Sequence, residues 1–485
     1  MNITMDRTRI ILTPKALLEI EAALNEPLFF GIPVGVTLND RLIVELYNGN
    51  RVWNWRTRAT DLLRYYYHRF YQPFLGSADL SRFSGRMVFT WLFDRADLKA
   101  FVLPLLEKYG TDQSIVVAPL ASMQAQLPDQ TAFVTWDEFP KIDMKLWRRE
   151  FDRCSPIWRQ RLNQVLAKHV VPPYVAEFLL WHLQIQTQRL MAFSHFLDII
   201  RPKAIVTEFD RNEQSSCLVL AARQRSIPAV TMVHGALTPY PSYGYAPLLA
   251  NYACCWGELH KHNLMEHGVD QDQLVVTGCQ GITRTLGVKQ DSARMEIGAP
   301  VDKPVILLAT SPIKLEDRKH YASVFCAAMS RLPEMTAIVR LHPAENMAQY
   351  QEVIDKFPKV TFLANDAMTR DESLAAADIV VVHESGFGID ALLKGKLVVI
   401  LDVLATPLRI GKELIALAGC PSARGPDEFE SVIRKILTDA IWKRELHVKA
   451  EQYVLQYCAS YGQDAVNNVC RVIDHAIESS KQKTA

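Results

Sequence analysis

The pattern that most constrains the fold is an alternation of short apolar runs and helical stretches in the second half of the chain. Helices are predicted near 319–331 and 346–357. The predicted strands lie at 304–310, 336–341, 360–363, 378–382 and 396–401. Near-continuous apolar strands separated by helices are typical of a parallel sheet that is buried on both faces. The segment from about 290 to 460 is therefore predicted to form a doubly wound α/β domain.

A second series of the same kind precedes the first. A helix is predicted at 213–225, and the long stretch 174–198 has apolar residues on most faces, which indicates a largely buried helix. The predicted strands of this series lie at 114–118, 132–135, 204–207, 229–233, 252–255 and 274–277. The polar stretch 285–303 is the predicted linker between the two series.

The predicted fold class is α/β, with two doubly wound domains that face each other across a cleft. The predicted boundaries are 1–285 for the first domain, 286–460 for the second, and 461–485 for a tail. The helical part of that tail, near 463–480, is expected to return to the first domain. In open parallel sheets, ligands bind beyond the carboxyl ends of the strands, so we expect the functional residues there.

Composition excludes several other classes of protein. The 485 residues are 49% hydrophobic and 22% charged, which excludes intrinsic disorder and repetitive structural proteins. Lys and Arg number 54 against 53 Asp and Glu, so the net charge of +1 gives no support to nucleic-acid binding.

The apolar runs and the cysteines of the sequence indicate the cellular compartment of the protein. No apolar run reaches the ~18 to 20 residues of a membrane-spanning helix, and no cationic leader with an apolar core is visible at the start. The nine cysteines form no C-x-x-C pair and several lie in apolar runs, which is typical of buried, reduced thiols. The expected location is the cytoplasm, and neither a cofactor nor a metal is predicted.

The segment 51–71 combines arginine and aromatic residues. It ends in Arg64-Tyr-Tyr-Tyr-His-Arg-Phe-Tyr71 and is preceded by Arg51, Arg56 and Arg58. As a helix it would suit a membrane interface or an acceptor that carries a lipid diphosphate. The alternative is a helix that packs its tyrosines against the sheet.

The strand predicted at 378–382 is followed by a turn of small residues. Ser385, Gly386 and Gly388 would open a helix whose free N–H groups and positive end form an anion site. Asp390 lies one turn further on, where a carboxylate can accept ribose hydroxyls. The alternative is a tight strand-to-helix turn with Ser385 as its N-cap.

His342 and Pro343 follow the strand predicted at 336–341. Pro343 stops the strand and would hold His342 at the sheet edge, where an imidazole can neutralise a phosphate leaving group. The alternative is a histidine that caps a turn.

The first half offers a candidate base. His234 follows the strand at 229–233 and leads into a segment with Tyr240, Tyr243, Gly244 and Tyr245, and Glu208 and Asp210 follow the strand at 204–207. A histidine and two carboxylates at neighbouring strand ends can supply a general base for a hydroxyl nucleophile. The two carboxylates are alternatively surface groups in a loop.

Three further histidines have the spacing of metal ligands: His260, His262 and His267. They lack an accompanying cysteine or acidic ligand, so a solvated helix face is the favoured interpretation.

In order and spacing, these pieces resemble the bacterial surface-polysaccharide glycosyltransferases of the GT-B fold. That group includes the capsule Kdo and sialic acid transferases and the more distant CDP-glycerol polymerases of wall teichoic acid. The resemblance covers roughly residues 200–402. Its motifs are Ala221-Ala-Arg, Ile227-Pro-Ala-Val-Thr-Met-Val-His234-Gly235, Tyr245-Ala-Pro, Trp256-Gly257, Gly268, Val275-Val-Thr-Gly278, Leu341-His342-Pro343, Ala376-Ala377-Asp378, Ser385-x-x-Gly388-x-Asp390-Ala391-Leu392 and Gly395-Lys396-Leu397-Val398.

The resemblance implies an acceptor-side first half, a donor-binding second half and no nucleotide-binding metal. It implies that His342 contacts the donor phosphate, that Ser385 and Gly386 cradle it, and that Asp390 or Glu384 holds the ribose. His234 takes the position of a catalytic histidine in the teichoic acid polymerases.

Two departures from the family pattern are visible. Many relatives have Ser-Ser or Ser-Thr where this chain has Glu384-Ser385-Gly386. The usual Gly-x-Pro-x-x-Asp is here Gly278-Cys-Gln-Gly-Ile-Thr283, which contains no acid.

The resulting prediction is an enzyme that moves a sugar from a nucleotide-activated donor to a hydroxyl of a bacterial surface glycan. His234, or alternatively Glu208 or Asp210, would take the acceptor proton. The strand-end His342-Pro343 favours a CMP-linked acid sugar such as Kdo or sialic acid. The expected partners are that donor, a glycan or lipid-linked glycan acceptor, and the cytoplasmic face of the inner membrane through 51–71.

Two alternatives stay open. UDP-GlcNAc 2-epimerases share the fold and a similar Ser-Gly-x-x-x-acid turn. A non-catalytic scaffold of a polysaccharide assembly complex would keep the fold and lose the donor site.

Overall fold

The computed structural model describes residues 8–47, 52–53, 55–71, 73–94, 96–235, 245–311, 313–364, 366–404 and 408–484. Arg51, Tyr240, Tyr243 and Gly244, together with the side chain of Arg58, lie outside the described residues.

The first sheet is parallel throughout its described strands and carries helices on both faces. A short antiparallel pair, β1 (Thr8–Arg9) and β2 (Val52–Trp53), precedes it. The strands of the sheet are β3 (Met87–Thr90), β4 (Ser114–Ala118), β5 (Ala132–Thr135), β6 (Ile205–Thr207), β7 (Ala229–Met232), β8 (Tyr252–Cys255) and β9 (Leu274–Val276). Their spatial order is β5-β4-β3-β6-β7-β8-β9.

The helices of this part lie before, between and after the strands of the sheet. They are α1 (Pro14–Leu24), α2 (Asn39–Arg41), a π-helix (Leu42–Tyr47), α3 (Trp55–His68), α4 (Ala96–Tyr109), α5 (Met144–Lys168), α6 (Tyr174–Ile200), α7 (Glu213–Gln224) and α8 (Glu258–Glu266). Short 3₁₀ turns lie at Gly35–Leu38, Ser81–Phe83, Thr111–Gln113, Ala121–Gln126, Trp136–Glu138 and Gln271–Gln273.

The second sheet is also parallel. Its strands are β10 (Val305–Ala309), β11 (Thr336–Arg340), β12 (Thr361–Leu363), β13 (Ile379–Val382), β14 (Leu397–Leu401) and β15 (Ser422–Ala423), in the order β12-β11-β10-β13-β14-β15. Its helices are α9 (Gln290–Glu296), α10 (Leu315–Met329), a 3₁₀ turn (Met347–Tyr350), α11 (Gln351–Lys356), α12 (Arg370–Ala376), α13 (Gly386–Leu393), α14 (Ile410–Leu417), α15 (Pro426–Thr438) and α16 (Ala440–Tyr457). The last helix of the chain is α17 (Gly462–Thr484).

Each sheet begins with an interior strand, β3 or β10, and then grows outward in both directions. The chain moves to one side first and returns to build the other, so that the order reverses beside β3 in the first sheet and beside β10 in the second. This is the Rossmann order, and the reversal creates a crevice at the carboxyl ends of the strands. The predicted α/β fold class, with two doubly wound domains, is confirmed.

The antiparallel pair β1 and β2 was not predicted, and neither were two strands of the parallel sheets, β3 and β15. β3 is buried at every residue and pairs with both β4 and β6. Its four residues are followed at once by further apolar residues, Trp91 and Leu92, so no change of pattern marks where the strand ends. β15 is only two residues long and pairs with the end of β14.

The stretch predicted as a linker, 285–303, contains the helix α9. Ala293 is buried against Met368, Ala375 and Ala376 of the second half. Arg294 is also buried, and its Nε donates to the carbonyl oxygen of Ala376 at 3.1 Å. Most polar residues of this stretch are exposed to solvent, which is why its sequence resembles a linker. Ala293 and Arg294 lie on the opposite side and attach the stretch to α12.

The segment that joins α16 to α17 runs back over the strand ends of the first sheet. The N–H of Ala459 donates to the carbonyl of Trp256 at 2.8 Å, and that of Cys279 donates to the carbonyl of Ser460 at 2.9 Å. A Cβ at Gly278, whose φ is +83°, would lie 2.2 Å from the carbonyl oxygen of Ser460, so this approach needs glycine. From here α17 lies against α4, β7 and β8, where the hydroxyl of Tyr109 bonds to Asp474 at 3.0 Å.

Candidate functional site

A cavity of about 310 Å³ is lined by residues from both halves of the chain. From the first half it takes the strand-end histidine His234, and from the second half it takes the start of α13. The lining residues are Phe101, His234, Gly235, Trp256, Cys279, Gly281, Ile282, Arg370, Gly386, Ile389, Asp390 and Tyr457. The fold therefore brings together residues that are more than 150 positions apart in sequence (234 against 386 and 390).

The second-half wall of this cavity is the N-terminus of α13. Ser385 is its N-cap, and the Ser385 hydroxyl oxygen accepts from the N–H of Phe387 at 3.2 Å. A Cβ placed on Gly386 would have no atom within 4 Å, so the first residue of the helix borders open space. The first N–H groups of a helix have no partner within the helix, and they favour an anion. Gly388 is needed for packing instead, because its Cβ would lie 2.9 Å from Val382.

Asp390 lines the cavity, and in this structure its carboxylate is paired with the guanidinium of Arg370. Arg370 was not predicted as a site residue. It is the first residue of α12, directly after Thr369, whose side chain and that of Glu372 form a capping box. The pattern Thr-x-x-Glu is readable from sequence, so the helix start was detectable, but the contact with Asp390 was not.

Glu384 lies at the start of α14. Its carboxylate accepts from the N–H groups of Arg409, Ile410 and Gly411 at 2.7, 2.6 and 3.2 Å. It thereby caps the N-terminus of α14, where a negative charge is stabilised. The expectation that Glu384 holds the ribose does not fit this placement, and Asp390 is the carboxylate of this turn that reaches the cavity.

His342 lies at the end of β11, half-buried, with Pro343 exposed beside it. The N–H of Ala344 donates to Nδ1 of His342 at 3.2 Å. Nδ1 therefore carries the lone pair, and the neutral ring has its hydrogen on Nε2, where it can donate. Burial lowers the pKa of His342, and nearby Arg340 and Arg318 act in the same direction against Glu345. The ring is suited to donate to a phosphate without carrying a charge.

A buried network holds His342 from behind. Its backbone N–H donates to the hydroxyl of Thr310 at 2.9 Å, and that hydroxyl donates to Glu345 at 2.7 Å. Glu345 also accepts from Tyr350 at 2.7 Å and pairs with Arg318 at 3.3 Å. Apart from His342, no residue of this network was predicted to act in the site.

His342 and the Ser385 turn belong to one edge of the second sheet. β10 lies between β11 and β13, and next to Thr310 the hydroxyl of Ser311 donates to the carbonyl of Glu384 at 3.1 Å. The two predicted groups are thus linked through the end of β10. His342 is not among the residues that line the cavity described above.

His234 has the opposite ring orientation. Its Nδ1 lies 2.9 Å from the carbonyl oxygen of Glu208, which can only accept, so Nδ1 carries the hydrogen. The hydroxyl of Tyr245 lies 2.7 Å from the same nitrogen and accepts from the backbone N–H of His234 at 3.0 Å. In the neutral ring the lone pair is therefore on Nε2, which is the arrangement that a general base needs.

Glu208 and Asp210 are both fully buried, which contradicts the alternative that they are surface groups in a loop. Glu208 accepts from the hydroxyl of Thr90 at 2.8 Å, and burial raises the pKa of Glu208 to about 8. Asp210 accepts from the N–H groups of Leu249 and Ala250 at 2.7 and 2.9 Å, and burial raises the pKa of Asp210 to about 6. Neither carboxyl group is among the cavity residues, so neither is placed to meet an acceptor hydroxyl. Glu208 contributes through its backbone carbonyl, which orients His234.

The three histidines with ligand-like spacing point in different directions. His260 is buried, and burial lowers the pKa of His260 to about 3, whereas His262 is exposed. Nδ1 of His267 lies 2.6 Å from the carbonyl of Asn263. In the part of the chain that the structure describes, no three His, Cys, Asp or Glu residues lie together as metal ligands would.

No protein-family model matches the chain, and no curated protein sequence matches it. Solved structures do show the same fold. A putative UDP-N-acetylglucosamine 2-epimerase from Listeria monocytogenes has a TM-score of 0.52 at 16% identity, over 82% of this chain and 98% of that one. UDP-GlcNAc 2-epimerase from Neisseria meningitidis, bound to UDP-GlcNAc, has a TM-score of 0.51 at 15% identity, over 81% and 100%. A glycosyltransferase from Rickettsia africae has a TM-score of 0.50 at 11% identity, over 81% and 99%.

These likenesses show the fold class. The chain has the GT-B fold, in which two Rossmann-like domains face each other across a cleft. Among the described residues, no helix is both long and apolar enough to cross a membrane.

Proposed function

We propose that the chain is a glycosyltransferase that moves a sugar from a nucleotide-activated donor to a hydroxyl group of a surface glycan. One observation carries the proposal. His234, oriented as a base, and the N-terminus of α13, suited to an anion, line the same cavity from opposite domains. A transferase of this kind needs a base for the acceptor and a site for the leaving phosphate.

The proposed reaction uses the two walls of the cavity for different tasks. The acceptor oxygen bonds to the anomeric carbon while Nε2 of His234 takes its proton. The bond from the anomeric carbon to the phosphate oxygen breaks, and the electron pair leaves with the phosphate. The first N–H groups of α13 stabilise that phosphate. Nε2–H of His342, at the same sheet edge, is proposed as a further donor to it, and Asp390 is proposed to accept from the ribose.

The donor nucleotide has two candidates. The strand-end His342-Pro343 supports a CMP-linked acid sugar, as the resemblance to Kdo and sialic acid transferases implies. The fold likeness to the Neisseria enzyme, which binds UDP-GlcNAc, supports a UDP-linked sugar. The acceptor class proposed is a glycan or a lipid-linked glycan.

The test is a panel of UDP-, CDP- and CMP-linked sugars, measured by thermal shift and then by product formation with and without a glycan acceptor. A donor that raises the melting temperature and releases its nucleotide only when the acceptor is present supports transfer. If no nucleotide sugar in the panel raises the melting temperature, the proposal is wrong and the chain is better explained as a non-catalytic scaffold.

A nucleotide-sugar epimerase is the second candidate. Ser385, Gly386 and Asp390 reproduce the Ser-Gly-x-x-x-acid turn, and solved epimerases share the fold. Epimerisation needs several acid and base groups that converge on one sugar. Burial raises the pKa values of Cys279 and Tyr457 well above their ordinary values. Cys279 and Tyr457 therefore stay protonated and cannot act as bases, and Asp390 is paired with Arg370. Among the described cavity residues, His234 is the group placed to take a proton. An epimerase would convert its nucleotide sugar with no acceptor present, which the same panel detects.

A further inference from the structure

Helix α3 exposes an apolar face to solvent. At about 100° per residue, Leu62, Leu63, Tyr66 and Tyr67 occupy an arc of about 140° on one side of this helix. All four are exposed, Leu63 at 71%. Residues three and four apart are neighbours on a helix surface, so these side chains form one patch and not isolated exposed groups.

The patch continues past the end of α3. Phe70 is 69% exposed, and Tyr71 and Leu75 are also exposed. On the opposite side of the helix, Asp61 and Tyr65 are buried. The tyrosine-rich run therefore does not pack against the protein as a whole. Tyr65 faces inward, whereas Tyr66, Tyr67 and Tyr71 face outward.

Arginines border this face. Arg56 and Arg64 are exposed, and the Arg64 guanidinium lies 4.9 Å from the ring centre of Trp181. Arg148 of α5 lies 5.1 Å from the ring centre of Phe70. The acidic residue of α3, Asp61, is buried, so the described face of this helix presents cations and apolar groups without an exposed acid. Arg69, nearer the end of the segment, pairs with Asp152 at 2.6 Å.

We propose that this face, defined by residues 62–75 with Arg56 and Arg64, docks on an anionic phospholipid surface. Aromatic and leucine side chains with arginines at their border are the composition of interfacial helices, whose apolar groups enter the headgroup boundary while the cations meet lipid phosphates. A two-fold dimer through the same face would bring the same arginines of both copies against each other. Charge complementarity therefore selects the lipid surface over a second copy. The proposal does not depend on the reaction that the cleft performs.

The test is co-sedimentation of the full chain with vesicles of phosphatidylcholine, with and without about one-third phosphatidylglycerol. We expect binding to the anionic vesicles that weakens as the Debye length falls from about 10 Å at 0.1 M salt to about 3 Å at 1 M. Failure to bind anionic vesicles at low salt would overturn the proposal.

Two pairs of variants separate the contributions of charge and apolar contact. Arg56→Ser with Arg64→Ser should weaken vesicle binding about thirtyfold, and Leu63→Ser with Phe70→Ser about a hundredfold. Matched controls in the second domain are Arg424→Ser with Arg444→Ser, and Ile441→Ser with Leu455→Ser, all of which replace exposed residues. The controls should bind as the wild type does.

Because the replaced side chains are exposed, thermal melts of all variants should match the wild type. Binding that is unchanged by both pairs on α3, or lowered equally by the controls, refutes the assignment. If analytical ultracentrifugation shows a dimer that Leu63→Ser with Phe70→Ser dissociates, while the wild type binds no vesicles, the face is a self-interface and the proposal is wrong.

Discussion

Replacing His234 with alanine is the most informative perturbation of the cleft, because the structure separates its proposed catalytic effect from its structural one. Loss of a positioned general base slows a reaction by typically 10²- to 10⁴-fold. At 1.36 kcal/mol per factor of ten, this adds about 3 to 5 kcal/mol to the barrier. His234 belongs to the first half, whereas the proposed donor-binding groups all lie in the second half, so the donor affinity of His234→Ala should remain close to that of the wild type.

The structural cost follows from the contacts of the ring. Nδ1 lies within hydrogen-bond distance of the Glu208 carbonyl and the Tyr245 hydroxyl. Each lost hydrogen bond costs about 1 kcal/mol, so the free energy of unfolding should fall by about 1 to 2 kcal/mol. The backbone N–H of His234 remains, and Tyr245 keeps that partner together with the Glu208 carbonyl. The protein should therefore fold, and the loss of rate should greatly exceed the loss of stability.

The assay is initial-rate transfer with the donor identified by the nucleotide-sugar panel, together with donor titration by calorimetry and chemical denaturation. His262→Ala, which removes an exposed histidine of α8, is the matched control and should retain full activity. Tyr245→Phe removes the hydroxyl that holds the ring but leaves the base, so it should reduce turnover less than His234→Ala does. If His234→Ala transfers sugar at the wild-type rate, or loses donor binding along with turnover, His234 is not the base.

Three further outcomes follow from the contacts of individual carboxyl groups. Asp390→Asn should weaken donor binding roughly ten- to a hundredfold, since a hydrogen bond to a charged group is worth ~1.5 to 3 kcal/mol, with a smaller effect on turnover; equal losses in both would contradict the ribose role. Glu384→Ala should lower the free energy of unfolding by about 2 kcal/mol, because it removes the cap of three N–H groups from α14, and an unchanged denaturation midpoint would contradict that role. Glu208 binds a proton in the folded protein between its ordinary pKa of 4.5 and its raised pKa of about 8, where the unfolded chain does not. Its contribution to stability is therefore complete below pH 4.5 and is lost as the pH rises through about 8. Glu208→Gln should make the free energy of unfolding less dependent on pH in that window, and denaturation curves with the same slope against pH as the wild type would show that Glu208 is ionised in the fold.

Sequence patterns were sufficient wherever the information is local. Parallel strands that are buried on both faces are continuous apolar runs, so β11, β13 and β14 were predicted to within a residue or two of their observed bounds. The small residues after β13 predicted the turn that Ser385 caps. β3 was not predicted because further apolar residues follow it directly. α9 was not predicted because it is short and buries only Ala293 and Arg294, so its sequence is polar overall.

The fold class, and the strand ends at which the candidate groups lie, can be read from the amino-acid sequence alone. The roles of those groups were decided by the tertiary structure, because each role depends on a partner that is distant along the chain. The Glu384 carboxylate accepts hydrogen bonds from N–H groups 25 to 27 residues further on. Asp390 is paired with Arg370 of another helix. His234 is set as a base by a carbonyl 26 residues earlier. Hydrogen bonds form only between groups about 3 Å apart. The order of residues along the chain does not say which distant groups come that close. The packing of the two sheets and their helices brings these particular groups together.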